Sequence, residues 1–370
     1  MSEEETSLDR VMNGATWEEF CDTLKAAGNV ILAEGSPTDP LDRSEGFRYL
    51  SRITRAALEQ FIEHADPKAP VLHRPVHETA KIGADNPDNY YQSAAISGRY
   101  DYRIRGQRGT IHYLDFGTQS DGVAGSGEST QAGHLDAADL AMDADGNFEI
   151  LLSCEEKPGN WLPMQPDSSL LIVRQTFLDR DVEVPAKLVI ERIGGDGKPT
   201  PLTPEALDGG LKQASGLVLA CSSLFSNWAQ GFRANHNNQL PKFDDSVSMG
   251  AGGDPNICYY HSYWELAEDE ALVIEARVPE CESWNFQLDN HWMESLDYRY
   301  FKIHVNKHTA AYEADGSVRI VVAHEDPGVP NWINTVGHAR GTMCFRWIRA
   351  KEHPQPETRV VKFSEIPGRA

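Results

Sequence analysis

"MDADGNFEILLSCEEKPGNW", Met142–Trp161, and "YEADGSVRIVVAHEDPGVPNW", Tyr312–Trp332, are two versions of one sentence in a single chain. Each carries Ala-Asp-Gly, an apolar run centred on Ile150 or Ile320, a shared glutamate (Glu155, Glu325), then Pro-Gly and Asn-Trp. The offset is 170 at the Asp-Gly pairs, 169 at Pro-Gly and 171 at Asn-Trp. Slips of one residue suit loop insertions in a shared framework. Self-similarity at this distance points to two halves built alike, and two copies are too few for a solenoid. Each copy reads as a hairpin opened at Asp145-Gly146 or Asp315-Gly316, where glycine supplies positive φ without steric penalty, followed by a Pro-Gly turn and a tryptophan anchor. A calcium loop is the alternative for "DADGN", but its glycine comes too early for an EF-hand and no helix follows.

The rest of the chain fits that frame. Helical spacing of Trp17, Phe20 and Leu24, and of Phe47, Leu50, Ile53, Leu58 and Ile62, predicts a helical start up to about Ala65, which Pro67 and Pro70 break. From Tyr100 onward short apolar runs alternate with turns; Tyr100 to Arg105 and Gly109 to Phe116 read as strands joined at Gly106. Thr203 as N-cap and Pro204 at the first helical position predict a helix to about Phe232. The expected fold is therefore mainly β with helical additions: two pseudo-repeated, jelly-roll-like β-sandwich domains at 71–200 and 241–370, an N-terminal helical segment at 1–70 and a helical connector at 201–240. Arg174 and Arg346 follow their tryptophans by 13 and 14 residues and should be equivalent. Arg174 could pair with a buried carboxylate from its own domain or meet an anionic substrate group.

Composition narrows the function classes. The chain has 370 residues and 34 basic against 56 acidic side chains, a net charge of −22, which repels phosphate backbones and anionic membranes and argues against both as partners. Six scattered cysteines offer no Cys-x-x-Cys pair, so free thiols are expected and neither a zinc ribbon nor a disulfide framework. The acidic start "MSEEETSLDR" lacks the basic and apolar segments of a signal peptide, and no apolar run reaches membrane-span length; a cytoplasmic protein is expected. Nucleophile-elbow, Walker and His-Glu-x-x-His signatures are absent, and the glycines of "GVAGSGEST" (122–130) read as a loop, not a phosphate cradle.

Two stretches concentrate chemistry. "WNFQLDNHWMESLDYRYFKIHVNKH" gathers aromatic rings, amides and charges, a mixture that lines orienting pockets and that a half-buried strand and turn also produces. "GADNPDNYYQSAAISG" does so on a smaller scale, although Asn and Asp also stabilise turns through their own side chains. If the two meet, with the turn-rich stretch after Asn235 closing over them, Glu294 or His291 would move protons and Arg299 would stabilise negative charge. Asn86, Tyr90, Asn290 and Trp292 would orient the substrate. His291 and Glu294 supply only two local metal ligands, so neither metal nor cofactor is expected.

With "DNPDNYYQSAAISG", "GNWLPMQPDSSLLIVRQTF" and "DPGVPNWINTVGHARGTMCFRW", these motifs resemble bacterial proteins with the domain of unknown function numbered twelve-fourteen, often accompanied by a domain numbered twelve-fifty-four. The resemblance implies paired jelly-roll-like sandwiches and carries no catalytic residue set. The sequence leaves two functions open. One is an enzyme acting on a small apolar, aromatic or sugar-like molecule by acid-base or electrostatic catalysis in a cleft between the β-domains. The other is a non-catalytic carbohydrate- or ligand-binding or structural β-sandwich protein. A small-molecule ligand is the expected partner in both, and a homo-oligomer stays open.

Overall fold

A computed structural model describes residues 5–120, 131–250 and 253–366; the glycine-rich stretch at 122–130 lies outside them. Three α-helices open the chain: α1 (Ser7–Asn13), α2 (Ala15–Ile31) and α3 (Pro40–Leu58). Thr6 caps α1 in a reciprocal box with Asp9, and Asp39 caps α3 through a 2.9 Å bond from the Asp42 amide, with Pro40 at the first helical position. The connector is a single helix, α4 (Pro204–His236), and the Thr203 hydroxyl accepts from the Ala206 amide at 3.2 Å as the sequence requires. A short helix, α5 (Asp245–Gly250), occupies part of the turn-rich stretch that follows.

Among the described residues sixteen strands form four sheets of four. In chain order they are β1 (Asn89–Ala95), β2 (Tyr102–Gln107), β3 (Tyr113–Ser120), β4 (Gln131–Asp136), β5 (Asn147–Ser153), β6 (Trp161–Pro163), β7 (Ser168–Thr176) and β8 (Lys187–Arg192). The second set is β9 (Ile257–Glu265), β10 (Glu270–Ala276), β11 (Ser283–Leu288), β12 (His304–Asn306), β13 (Val318–Ala323), β14 (Trp332–Asn334), β15 (Arg340–Ile348) and β16 (Glu357–Lys362). The sheet orders β1-β7-β3-β4 and β6-β5-β2-β8 become β9-β15-β11-β12 and β14-β13-β10-β16 when eight is added to every strand number. The duplication therefore extends to every strand and every pairing.

Within each repeat the two sheets share one apolar core, the arrangement of a β-sandwich. In the first, Leu114, Phe116, Leu171 and Val173 of one sheet meet Tyr102, Ile104, Ile150 and Leu162 of the other. In the second, Trp284, Phe286, Phe345 and Trp347 meet Leu272, Ile274, Ile320 and Ile333. Trp284 stacks on Phe345 at 5.6 Å and Trp347 meets the same ring edge-on at 4.6 Å, so the second core is the more aromatic. The chain divides into two compact units. One comprises 1–29, 50–80 and 88–221, the other 30–49, 81–87 and 222–370, so each contains one sandwich.

The repeated sentence now has a physical reading. The glycines of both Asp-Gly pairs have positive φ, +77° at Gly146 and +82° at Gly316. Asn160 Nδ2 donates to the carbonyls of Ala141 and Glu149, both at 2.9 Å, while its Oδ1 accepts from the Ala141 amide at 2.8 Å. Asn331 makes the same three bonds to Ala311 and Arg319 at 2.7, 2.9 and 2.9 Å. The following tryptophan donates its indole N–H to the end of the preceding strand, Trp161 to the Ser153 carbonyl and Trp332 to that of Ala323. One expectation is corrected here: β5 with β6, and β13 with β14, run parallel and are not hairpins. The asparagine clamp holds the returning chain beside the strand it has just left, in the same direction. Gly106 likewise lies inside β2 and joins no hairpin, because β2 and β3 belong to different sheets.

Asn331 is buried and Asn160 half-buried, so removing the clamp should cost more in the second repeat. Asn331→Ala should destabilise by about 2–4 kcal/mol and Asn160→Ala by about 1–2 kcal/mol in denaturant unfolding, since stranded buried carbonyls lose their partners.

Candidate functional site

The strands of β9-β15-β11 turn alternate side chains away from the aromatic core, and in the second repeat that outward face is buried too. It carries three polar rows. Asn285, Arg346 and Tyr259 are cross-strand neighbours in the first, Gln287, Cys344 and His261 in the second; Thr342 and Tyr263 pair in the third, beside Asp289. Asp289 extends β11, its amide donating to the Thr342 carbonyl at 2.8 Å. Strands covered on both sides lose the simple apolar-polar alternation of a half-exposed sheet.

The segment 81–87 covers the first row. Arg346 donates through Nη1 to Asn285 Oδ1 (3.1 Å) and Gln287 Oε1 (2.5 Å), and through Nη2 to the Ala84 carbonyl (2.6 Å). Asn285 donates to Asn86 Oδ1 at 2.7 Å, and Gln287 to the Asp85 carbonyl at 2.9 Å and to Asp289 Oδ1 at 2.5 Å. Asp85 accepts from the Ser295 amide and hydroxyl, both at 2.9 Å, and the buried Lys81 Nζ donates to the carbonyls of Ser295 and Leu296. Burial pushes Asp289 up to about 7; the Gln287 hydrogen bond opposes this and the nearby Asp85 charge adds to it.

The second row ends in an aromatic enclosure. His261 lies parallel to Phe232 at 6.1 Å and to Tyr259 at 5.6 Å, with Phe243 edge-on at 5.2 Å. Burial depresses the imidazole to about 3 and raises the neighbouring Cys344 thiol, 3.8 Å away, to about 12. Cys344 is thus a protonated apolar side chain and not a nucleophile.

The third row meets the turn 289–295. Asn290 staples that turn: its Oδ1 accepts from the amides of Trp292 (2.9 Å) and Glu294 (3.2 Å), and its Nδ2 donates to Glu294 Oε2 at 3.0 Å. Met293 takes φ +56° at its apex, and its carbonyl accepts from Ala84, itself at φ +57°. Two non-glycine residues in the left-handed region, bonded to each other, mark a locally strained spot. The Trp292 indole donates to the Asp42 carbonyl at 2.8 Å, and Gly46 of α3 is obligatory there because a Cβ would come within 2.7 Å of that ring. Gly341 meets the same constraint: its Cβ would fall 2.1 Å from the Asp289 carbonyl.

His291 is wholly buried, with Tyr263 Oη 2.9 Å from its Nδ1 and Trp292 edge-on at 4.8 Å. Burial lowers the imidazole to about 3, the charges of Arg233 and Arg340 acting in the same sense, and burial raises the Tyr263 phenol. Whichever ring nitrogen carries the proton, Tyr263 satisfies Nδ1; Nε2 has no hydrogen-bond partner. Other buried polar atoms in this unit are in the same condition, His261 Nδ1 among them, and two of these are Asp39 Oδ2 and Arg340 Nε. Both residues act electrostatically on His291. Asp42 Oδ1, one turn along from Asp39, is 2.7 Å from His338 Nδ1.

Of the residues expected from sequence, Asn86, Asn290, His291, Trp292 and Glu294 are buried together in this unit. Arg299 instead forms a bidentate, partly exposed pair with Asp297 at 2.9 and 2.7 Å. Tyr90 belongs to the other unit, on β1, with the Arg74 guanidinium 4.2 Å above its ring. Sequence reasoning missed Asp39, Tyr263, Asp289 and Arg340. Among the described residues no group of three or more His, Cys, Asp or Glu side chains is placed to hold a metal ion.

Asp289 gives a pH prediction. Its folded-state value lies above its ordinary one, so its contribution is fully present below about pH 4 and is lost as pH rises through about 7. Asp289→Asn should therefore be more stable than the parent by roughly 2–4 kcal/mol at pH 8, with the difference vanishing near pH 4 in chemical unfolding.

The family described as protein of unknown function (DUF1214) matches this chain twice, over residues 91–176 and 269–352. One span falls within each sandwich. The chain is 53% identical to an uncharacterized protein from Burkholderia cenocepacia, covering 96% of this chain and 99% of that one, with a TM-score of 0.92. The VPA0106 protein from Vibrio parahaemolyticus is 12% identical over 92% of this chain and all of its own, with a TM-score of 0.51, a likeness of fold alone. No curated protein matches. Two matched repeats and a near-full-length relative place the chain in the family of proteins of unknown function DUF1214.

Proposed function

We propose that the protein is a small-molecule-binding protein whose recognition site is the third row of the second sandwich, at His291. The observation that carries this reading is the unmet hydrogen-bonding capacity of His291 Nε2, Arg340 Nε and Asp39 Oδ2 within one unit. Each such buried group costs about 1–3 kcal/mol when unpaired, a cost that a fold retains where a ligand supplies the partner. An imidazole held near 3 is a poor general base at neutral pH, so His291 serves as a hydrogen-bonding group and not as a proton carrier.

A second reading, acid-base catalysis, is favoured by one different observation: Asp289, at about 7, matches the working pH of a proton-transferring group. In that reading Asp289 moves the proton and Lys81 and Arg346, whose charges act on it, stabilise the ionised form. Cytoplasmic location belongs to the proposal as well. The free state of Cys21, Cys154, Cys221, Cys258, Cys281 and Cys344 supports it, and no helix among the described residues is long and apolar enough to cross a membrane.

The binding reading is tested with the double variant Tyr263→Phe/His291→Phe, which removes both hydrogen-bonding partners while keeping ring shape. It should fold with a stability close to the parent's, because the unpaired Nε2 and the phenol hydroxyl are removed together. After incubation with a metabolite extract, wild-type protein should carry a small polar compound, identified by mass spectrometry after denaturation, that the variant lacks. A loss of 2 kcal/mol or more in the variant, with identical small-molecule content, would make the pair a structural element only.

A further inference from the structure

We propose that His338 is a general base, set by the buried carboxylate of Asp42, that takes a proton from water or from a substrate hydroxyl group beside the start of α3. The pair needs neither a ligand at His291 nor the titration of Asp289, so it goes beyond both readings above.

Asp42 is fixed before it meets the imidazole. Asp39 caps α3, which makes Asp42 the third residue of the helix, inside its first turn. The Asp42 amide donates to Asp39 Oδ1 at 2.9 Å, its carbonyl accepts from the Trp292 indole at 2.8 Å, and its Oδ1 lies 2.7 Å from His338 Nδ1. Burial pushes Asp42 above its ordinary value, and the His338 contact opposes that. The helix N-terminus opposes it too, since free amides favour negative charge in the first turn. An ionised Asp42 can only accept, so it holds the proton of a neutral imidazole on Nδ1. That leaves a lone pair on Nε2, the nitrogen that a base presents.

The far end of the ring is available. His338 keeps 4% exposure, and its Nε2, unlike that of His291, is not one of the sealed atoms without a partner. Other imidazoles fit the role less well. Burial holds His261 and His291 near 3, His324 Nδ1 meets the neutral Thr335 hydroxyl at 2.9 Å, and His77 is 3.8 Å from Glu78, beyond hydrogen-bond reach. The loop that delivers His338 is strained. Val336 takes φ +53°, an outlier for a β-branched residue, and Gly337 follows at +80°. Asn334 Oδ1 accepts from the Val336 amide at 2.7 Å, and the Thr335 carbonyl accepts from the His338 amide at 3.1 Å, which closes the loop. Backbone strain of this kind gathers at working sites.

The step balances without a co-reactant. Nε2 takes the O–H proton while the oxygen's electron pair forms a bond to an electrophilic carbon, and the bond from that carbon to its leaving group breaks. The imidazolium, facing the Asp42 carboxylate, then returns the proton to the leaving group. Asp42 is a positioning residue, acting through the tautomer and charge of the ring.

The test follows hydrolysis of p-nitrophenyl acetate by the full chain at neutral pH, beside 15N NMR of histidine-labelled protein. The parent's His338 ring should carry its proton on Nδ1. His338→Gln should assign those signals and lower hydrolysis above buffer at least about tenfold. Asp42→Asn should keep the fold, judged by Tm, while lowering the rate at least about fivefold and shifting the ring proton toward Nε2. The parent reaction should slow in D2O and show no initial burst, as proton removal from water requires. A parent ring protonated on Nε2, hydrolysis that survives His338→Gln, or no hydrolysis above buffer would each overturn the assignment. So would a burst with no slowing in D2O, which marks the ring as a nucleophile. If His338→Gln loses the fold, Asp42→Asn decides: an unchanged rate and tautomer would reduce the pair to a structural contact.

Discussion

The Arg346 guanidinium, buried on the outward face of a sheet whose other face is an aromatic core, is the constraint around which the second unit is arranged. A charge withdrawn from water is tolerated only where its donors are taken up, and deleting one partner of such a group costs about 3–5 kcal/mol. Its donors reach Asn285 and Gln287 of β11 and the Ala84 carbonyl, so the sheet and the segment 81–87 are fastened at one point. Everything farther along the face follows from that closure: Gln287 passes the contact to Asp289, Asp85 to Ser295, and the turn carrying His291 is held at its start and its end.

The first sandwich contains a counterpart of this device. Tyr91, Arg174 and Asp115 are cross-strand neighbours on β1, β7 and β3, the register that Tyr259, Arg346 and Asn285 occupy on β9, β15 and β11. In the first repeat the guanidinium faces a fully buried carboxylate, Asp115, at 3.8 Å. In the second the carboxylate is replaced by an amide, and hydrogen bonds to neutral groups take over. One framework thus supports an ion pair in one copy and a covered polar layer in the other. The divergence leaves the clamps at Asn160 and Asn331 untouched, because they belong to the framework and not to the face.

The duplication was legible because its code is local: an asparagine whose three bonds lie within twenty residues, a tryptophan and a positive-φ glycine leave the same letters in both copies. The direction of β6 and β14 was not, since Pro-Gly suggests a reversal and the parallel return depends on where the asparagine side chain reaches. The turn at 289–295 stood out through its density of rings and amides, yet that density reads alike for an open pocket and for a covered sheet face. Asp39, Tyr263 and Arg340 left no mark: they lie at the N-cap of α3, on β9 and on β15, and only the tertiary fold assigns 30–49 to the same unit as 222–370. A weak signal existed in "RGTMCFRWI", whose polar residues Thr342, Cys344 and Arg346 alternate with Met343, Phe345 and Trp347.

The central claim, that the face ending at His291 is organised to receive a polar group from outside the chain, is tested most directly by a crystal structure at a resolution that shows ordered solvent. The account predicts an ordered polar atom, from water or a retained small molecule, within hydrogen-bonding distance of His291 Nε2, Arg340 Nε and Asp39 Oδ2 together. Density showing these three groups turned to satisfy one another, with no atom between them, would contradict it.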